Sequence, residues 1–231
     1  MLKKITVKNT VGFSLLVQVI TGIISLHGLF ITLPEKDKIL TDVLKLETVV
    51  QFIELMFYIW IAKSAIRLKS MTSRRYIDWV ITTPAMLLST VMFMRYQEVK
   101  EEDKLEETPI KTVEFLKENK TTLTFMLIYN FAMLLLGYLG EINVLSKYIS
   151  TPVGFYFFYK SFGLIYYNFA KKSEIGTKLF TFLLSIWSLY GVAAVMPVKL
   201  KNISYNLLDI VAKNFYGLYI YYKIVQAGKG N

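Results

Sequence analysis

Apolar residues in this chain fall into blocks of about 20 to 25 residues, separated by short charged segments. A helix rises 1.5 Å per residue, so a block of this length crosses a hydrocarbon core of about 30 Å. Apolar residues make up 54% of the 231 residues and charged residues 19%, whereas a soluble domain has about 45–50% and about 25%. This distribution excludes a soluble enzyme, a disordered chain and an assembly of several domains. It predicts a multi-pass protein of the lipid bilayer without a separate enzymatic site.

Seven blocks are long enough to span a membrane, and each is expected to be a helix because backbone polar groups find no water in lipid. The predicted spans are 11–33, 39–68, 74–94, 121–138, 143–170, 177–198 and 203–225. The sequence therefore predicts an all-α fold, a seven-transmembrane-helix bundle, formed by one domain over residues 1–231. The longest connection, about 96–120, is expected to be a solvated linker with a short interfacial helix. A partner-docking helix is the alternative interpretation of that segment.

The net charge of +10 does not indicate nucleic-acid binding, because the basic residues gather near the ends of the predicted spans, where lipid headgroups lie. Counting Lys and Arg on the two sides of the bundle gives nearly equal numbers, which does not orient the chain. The absence of cysteine and the single histidine, His27, exclude a disulfide framework and a Cys- or His-based metal centre. No metal site is predicted.

Six ionisable residues lie inside predicted spans, where a charge is costly and marks a functional candidate. They are Glu47, Glu54, Arg75, Asp78, Asp209 and Lys213. A buried lysine keeps its charge only when a carboxylate lies beside it, and desolvated lysines are also the residues that form Schiff bases. The alternative is a static cluster of salt bridges that holds helices together.

The spacing of these residues places them on shared helix faces. Asp209 and Lys213 are four residues apart, so they lie on one face of the last span. Asp78, Thr82 and Ser89 form a stripe about 16 Å long on the third span, with Arg75 one turn earlier. The second span carries Glu47 and Glu54 two turns apart, and three helices thus direct polar stripes toward a common interior.

Two segments resemble helices of a known family. RRYIDWVITTPAML, residues 74–87, resembles the third helix of microbial (type 1) rhodopsins, and LLDIVAKNFYGL, residues 207–218, resembles the seventh. The resemblance covers all seven helices in order. It implies all-trans retinal linked to Lys213 as a protonated Schiff base, with Asp78 as primary counterion and proton acceptor and Asp209 as second counterion.

The same resemblance implies further roles. Arg75 would guard the extracellular side, and Tyr58 would hydrogen-bond the second counterion. The residues implied to line the retinal are Trp79, Thr83, Met86, Trp187 and Tyr190. The implied orientation has the N-terminus extracellular, and the C-terminus and the 96–120 loop cytoplasmic.

Two features depart from the pattern of the family's outward proton pumps. Those pumps carry a carboxylate at the position of Ser89, and a serine cannot supply a proton at neutral pH. They also keep a pair of carboxylates near the junction of the sixth and seventh helices, but segment 191–206 contains no acid. The proton donor and the release group are both missing from their usual places.

Other residues resemble the channelrhodopsins. Glu47 and Glu54 match glutamates on the second helix of those channels, and Asn214 follows the lysine directly, as in their Lys-Asn pair. Ser14 is expected to complete a constriction with Glu54 and Asn214. The Asp-Thr-Ser triplet together with these glutamates is similar to the group 1 rhodopsins of large algal viruses. Simple interhelical hydrogen bonding is the alternative role for the glutamates.

The sequence thus favours a light-gated cation channel, because acidic side chains in a narrow wet pore attract cations. The expected gating and ion-path residues are Ser14, Glu47, Glu54, Tyr58, Arg75, Thr82, Ser89 and Asn214. A light-driven outward proton pump is the second interpretation, and a sensory photoreceptor the third. Cations or protons are the expected transported ions, and a homo-oligomer is compatible with the sequence.

Overall fold

Helices account for nearly all of the chain in the computed structural model, which describes residues 5–63 and 68–229. The α-helices are α1 Val7–Gly28, α2 Lys38–Lys63, α3 Leu68–Glu101, α4 Thr112–Glu118, α5 Lys120–Glu141, α6 Lys147–Asn168, α7 Glu174–Ala194, α8 Val198–Asp209 and α9 Tyr216–Gly228. A π-helical segment, Ile210–Phe215, joins α8 to α9. We call α8, this segment and α9 the last helix, since they are continuous. With the last helix counted once, the described residues form seven long helices and the short α4, which confirms the predicted all-α, seven-helix bundle.

The seven helices close into a ring. Helix α1 packs on α2, α2 on α3, α3 on α5, α5 on α6, α6 on α7 and α7 on α8, while α1 and α2 pack on α9. We call the end of the bundle near Val7 the N-terminal face, where the connections 142–146 and 195–197 lie. The opposite end is the C-terminal face. Residues 64–67, which include part of the predicted 39–68 span, lie outside the described residues.

Four described helices are long and apolar enough to cross a membrane by length and composition alone: Val7–Gly28, Ser70–Glu101, Lys120–Glu141 and Glu174–Ala194. On α1 the exposed side chains are large and apolar, such as Phe13, Ile20 and Ile23, while the buried ones are mostly polar. This is the reverse of a soluble helix. It is the distribution expected when lipid surrounds the bundle and polar groups must find partners inside it.

The third helix runs two turns further than the sequence predicted. It ends at Glu101, not at Met94, because the polar side chains of Tyr96 and Glu101 have hydrogen-bond partners on neighbouring segments. The Tyr96 hydroxyl donates to Asp37 Oδ1 (2.5 Å). The Glu101 carboxylate accepts from the backbone N–H groups of Glu174 (2.7 Å) and Ile175 (3.2 Å), which caps the start of α7. The predicted 96–120 loop is therefore shorter and begins after Glu101.

Candidate functional site

Lys213 lies at the centre of the bundle among three carboxylates. Its Nζ is 2.7 Å from Asp78 Oδ2, 3.5 Å from Glu54 Oε1 and 3.9 Å from Asp209 Oδ1. All four residues are buried, at most 3% exposed. The lysine sits in the π-helical segment, an element often found at functional sites. The structure thus brings together four of the six buried ionisable residues that the sequence singled out.

Asp209 is held by three donors. Its Oδ2 accepts from Tyr58 (2.8 Å) and Arg75 (2.9 Å), and its Oδ1 accepts from the Tyr190 hydroxyl (2.8 Å). Asp78 accepts from Lys213 alone among the described residues, and its Oδ1 has no hydrogen-bond partner there. Hydrogen bonds to a carboxylate favour its charged form, so Asp78 is the better placed of the two aspartates to accept a proton.

Arg75 lies between this cluster and the N-terminal face. Besides Asp209, it contacts the Tyr58 hydroxyl (3.3 Å) and donates from Nη2 to Asn206 Oδ1. The Asn206 side chain in turn donates to Thr10 Oγ1 (2.8 Å). Four helices are tied together at this level, and Asn206 is a contact that the sequence interpretation missed.

A cavity with about 820 Å³ of empty space, including its mouth, opens beside Lys213 between α3, α5, α6 and α7. All six residues predicted to surround the chromophore line it: Lys213, Trp79, Thr83, Met86, Trp187 and Tyr190. The other wall residues include Phe155, Phe158, Tyr205 and Met133, so the walls are mainly apolar and aromatic.

The cavity suits a long apolar molecule that reacts with an amine. Lys213 provides an amine at one wall, and the indole Nε1 of Trp187 has no hydrogen-bond partner among the described residues. The Thr83 hydroxyl donates to the backbone carbonyl of Trp79 (2.8 Å) and accepts from Asn130 Nδ2 (2.8 Å). Asn130 thereby fixes this wall, a role that the sequence did not reveal.

On the other side of Lys213, buried polar side chains run through the bundle from the N-terminal face to the level of Glu47 and Ser89. Beyond that level, Leu40, Leu44, Phe93 and Ile220 belong to a buried apolar cluster. We call these residues the polar column, and each is at most 6% exposed. Its members are Thr10, Ser14, Gln18, Thr21 and Ser25 on α1; Glu47, Gln51, Glu54 and Tyr58 on α2; Arg75, Asp78, Thr82 and Ser89 on α3; and Asn206, Asp209, Lys213 and Asn214 on the last helix. The sequence interpretation identified most of the α2 and α3 members but, of the α1 members, only Ser14.

The predicted Ser14–Glu54–Asn214 constriction is not joined by hydrogen bonds in the described residues. The Ser14 hydroxyl donates to the backbone carbonyl of Asn206 (2.9 Å), nearer the N-terminal face. The Asn214 side chain donates to Gln18 Oε1 (3.2 Å) and Thr21 Oγ1 (2.7 Å). Ser14 lies one turn before Gln18 on α1, and this offset puts Gln18 at the level of Asn214.

Toward the C-terminal face the column continues through two further contacts. Ser25 Oγ donates to Gln51 Oε1 (3.1 Å), and Ser89 Oγ is hydrogen-bonded to Glu47 Oε1. Thr82 lies in the column, but its hydroxyl donates to the backbone carbonyl of Asp78 (2.9 Å). Glu47 and Ser89, predicted separately, therefore form one contact.

The N-terminal face carries an ion pair that the sequence did not predict. Lys201 Nζ lies 2.7 Å from Glu141 Oε2, and Lys147 Nζ lies 3.5 Å from the same oxygen. Segment 191–206 contains no acid, and the acid at this face is Glu141 at the end of α5. Residues 60 positions apart in sequence form this pair, so no spacing pattern could indicate it.

The model of the bacteriorhodopsin-like protein family matches residues 9–227. This chain belongs to that family, the microbial rhodopsins. Its members are multi-pass membrane proteins that bind retinal and act as light-driven ion transporters or light sensors, generally without enzymatic activity. The resemblance inferred from the third and seventh helices is confirmed.

Solved structures of other rhodopsins share the fold. The viral rhodopsin OLPVRII is 26% identical with a TM-score of 0.80, over 95% of this chain and 98% of that one. The Exiguobacterium sibiricum rhodopsin is 18% identical with a TM-score of 0.75, over 97% and 98% of the two chains. Blue light-absorbing proteorhodopsin from Med12 is 16% identical with a TM-score of 0.73, over 95% and 97%. Among curated proteins, no sequence matches this rhodopsin significantly.

Proposed function

We propose that this rhodopsin is a light-gated cation channel with all-trans retinal attached to Lys213. When bound, retinal supplies the absorption of visible light and an isomerisation beside the lysine nitrogen. The observation that carries the channel proposal is the polar column, which extends from Thr10 at one face to Glu47 and Ser89 toward the other. A path for ions needs polar groups at every level, so the apolar cluster of Leu40, Leu44, Phe93 and Ile220 closes the C-terminal end at rest and has to move apart when the channel opens.

The column has spare capacity to bind a passing cation. Both Glu54 oxygens and Asn214 Oδ1 accept no hydrogen bond from the described residues. Such oxygens are ligands for hard cations. The acidic residues of the column also make its interior unfavourable for anions, which supports cation selectivity.

Two positive charges keep the path closed at rest. Arg75 fills the N-terminal half, and Lys213 faces Glu54 at 3.5 Å and Asp78 at 2.7 Å. Opposite charges at 4 Å attract by about 4 kcal/mol at an effective dielectric constant of 20. With its charge in place, Lys213 therefore both repels a cation and neutralises Glu54.

Movement of one proton removes this block. Asp78 Oδ2 is within hydrogen-bond distance of the Lys213 nitrogen, so it takes the proton directly. The nitrogen then becomes neutral and Glu54 loses its positive partner. The net charge of the column is unchanged, because Asp78 loses its negative charge as the nitrogen loses its positive one. The Glu54 carboxylate, however, is no longer paired with a cation at 3.5 Å, so it can bind a passing cation. We assign the N-terminal face to the extracellular side.

A light-driven outward proton pump is the second candidate. The 2.7 Å contact between Lys213 and Asp78 would serve its first step equally well, and Arg75 separates that step from the N-terminal face. A pump requires that the path never be open to both sides at once, whereas the polar column already lines the bundle from the N-terminal face to Glu47 and Ser89.

Photocurrents measured at several holding voltages distinguish the two functions. A channel only dissipates a gradient, so its current reverses near the equilibrium potential of the permeant ion. Moving one charge through 100 mV is worth about 2.3 kcal/mol, so moderate voltages expose the reversal. We expect a reversal that shifts when external sodium or potassium is replaced by a bulky cation, and no current from the Lys213→Ala control. A current of constant outward sign at all voltages would instead establish the pump.

A further inference from the structure

Glu47 differs from the other buried acids of the column because it has no cationic partner. Glu54, Asp78 and Asp209 each lie within 4 Å of Lys213 Nζ. Among the described residues, no Lys or Arg nitrogen lies that close to Glu47, although its side chain is fully buried. An ionised carboxylate in such a place is strongly disfavoured, and the neutral acid is the stable form.

The Ser89 hydroxyl supports the same protonation state. It lies 2.9 Å from the backbone carbonyl of Met86 and is also hydrogen-bonded to Glu47 Oε1. A hydroxyl has one proton to donate, and serine in a helix commonly donates it to a carbonyl of the preceding turn. If Ser89 donates to Met86, the second contact needs a donor on Glu47, which only the protonated acid provides.

Glu47 also lies on the side of Lys213 from which a proton donor has to act. It lies two turns, about 10 Å along α2, from Glu54 in the direction of the C-terminal face, and Glu54 is the residue of α2 that contacts Lys213. Gln51 lies between the two glutamates on the same helix face, and Asn214 follows Lys213. Gln51 Nε2 and Asn214 Oδ1 have no hydrogen-bond partner among the described residues, so both can take part in a hydrogen-bonded relay.

We infer that Glu47, positioned by Ser89, is the proton donor that restores the Lys213 nitrogen after its proton has passed to Asp78. The O–H bond of Glu47 breaks, an N–H bond forms at the Lys213 nitrogen through the relay, and Glu47 is left as a carboxylate. A proton from the C-terminal face then restores Glu47. The donor missing at Ser89 is thus supplied by a neighbouring helix. This step rests on the proposed attachment of retinal to Lys213, but it is needed by a channel and a pump alike.

Infrared spectroscopy tests the resting protonation state without reference to transport. In the dark, retinal-loaded protein at neutral pH should show a carbonyl band of a buried, protonated carboxylic acid that is absent from Glu47→Gln. The matched control is Glu98→Gln, because Glu98 is a buried acid of α3 outside the column that is paired with Arg95. That variant should keep the band. A band of equal size in wild type and Glu47→Gln would overturn the inference.

Recovery kinetics test the donor step itself. After a flash, the wild type should recover its visible band at a rate that changes little with pH, because an internal acid supplies the proton. In Glu47→Gln we expect recovery about 10²-fold slower, the typical contribution of a positioned acid, and proportional to the proton concentration. The groups facing Glu47 are Ser89 and Tyr216 on neighbouring helices and Lys213 at longer range.

A second variant keeps the test decisive if Glu47→Gln folds poorly. Ser89→Ala retains the acid but removes its partner, so the carboxylic acid band should shift in frequency, and recovery should slow by less than in Glu47→Gln. Unchanged kinetics in both variants would exclude Glu47 as donor. Reversal of the photocurrent is measured in a separate experiment, so unchanged recovery kinetics would not contradict the channel proposal.

Discussion

The Lys213 nitrogen lies 2.7 Å from Asp78 and 3.9 Å from Asp209. The two aspartates therefore have different roles, although both flank the same charge. Asp209 is committed to Tyr58, Tyr190 and Arg75, whereas Asp78 is engaged by Lys213 alone among the described residues. Because of this asymmetry, Asp78 is the anion that most strongly stabilises the positive charge on the lysine nitrogen.

Replacing Lys213 by Ala should give a protein that stays colourless after retinal is added, because the amine that lines the cavity is lost. Absorption spectra after reconstitution check this. Lys201→Met is the matched control, since Lys201 is also buried but does not line the cavity. A normal visible band in Lys213→Ala would refute the attachment site.

In Asp78→Asn the positive lysine nitrogen loses its nearest anion. We expect either a shift of the visible band to longer wavelength or a deprotonated nitrogen that absorbs in the near ultraviolet. Spectra recorded across a pH titration distinguish these two outcomes. Because Asp78 and Asp209 both face Lys213, the titration belongs to the pair. An unchanged spectrum at neutral pH would mean that Asp209 alone serves as counterion.

Gln18→Leu should change ion flow but not colour. Gln18 accepts a hydrogen bond from Asn214 on the side of Lys213 away from the cavity. Loss of one such contact is worth about 1 kcal/mol, or about a fivefold change in an equilibrium, so we expect photocurrent or selectivity to change by a factor of that order. Asn214→Ala should act in the same direction.

The control for this prediction is Gln226→Leu, the same chemical change at an exposed position of α9. It should leave the current unaltered. If Gln18→Leu also leaves it unaltered while both variants keep a normal visible band, the ions do not pass between α1 and the last helix.

Glu141→Gln should destabilise the protein without altering its colour. The substitution leaves the buried Lys201 without its 2.7 Å partner, at a cost of about 2 kcal/mol. Thermal loss of the visible band measures the effect. Changing both partners to apolar residues, Glu141→Leu with Lys201→Met, should recover part of the loss, and a double variant less stable than Glu141→Gln would contradict this account.

The sequence predicted the parts of this protein that carry strong local signals. Charges such as Asp78 and Lys213 stand out in apolar helices because they are costly there, and their spacing reveals the shared face. The polar stripe of α1 gives a weaker signal, because the hydroxyls of Thr and Ser can form hydrogen bonds within their own helix. Thr21, for example, donates to the Val17 carbonyl (2.9 Å). Gln18 had the required spacing but no charge to mark it.

Other features depend on contacts between distant segments. The extension of α3 to Glu101 requires Asp37 and the start of α7 as partners, and charges at 95–101 alone resemble the end of a span. The pairing of Glu47 with Ser89 depends on the register between α2 and α3. Periodicity within one helix carries no information on that register.

Lys213 separates the interior into two halves, with the apolar cavity toward α5, α6 and α7 and the polar column toward α1 and α2. On the proposed channel function, residues away from Lys213 and Asp78 therefore affect different properties: cavity residues the wavelength, and α1 residues the conductance. We expect substitutions around Met133 or Phe155 to change the colour with little effect on permeation, and changes along α1 to do the opposite. Such a layout suits this rhodopsin to engineering as a modular optogenetic tool.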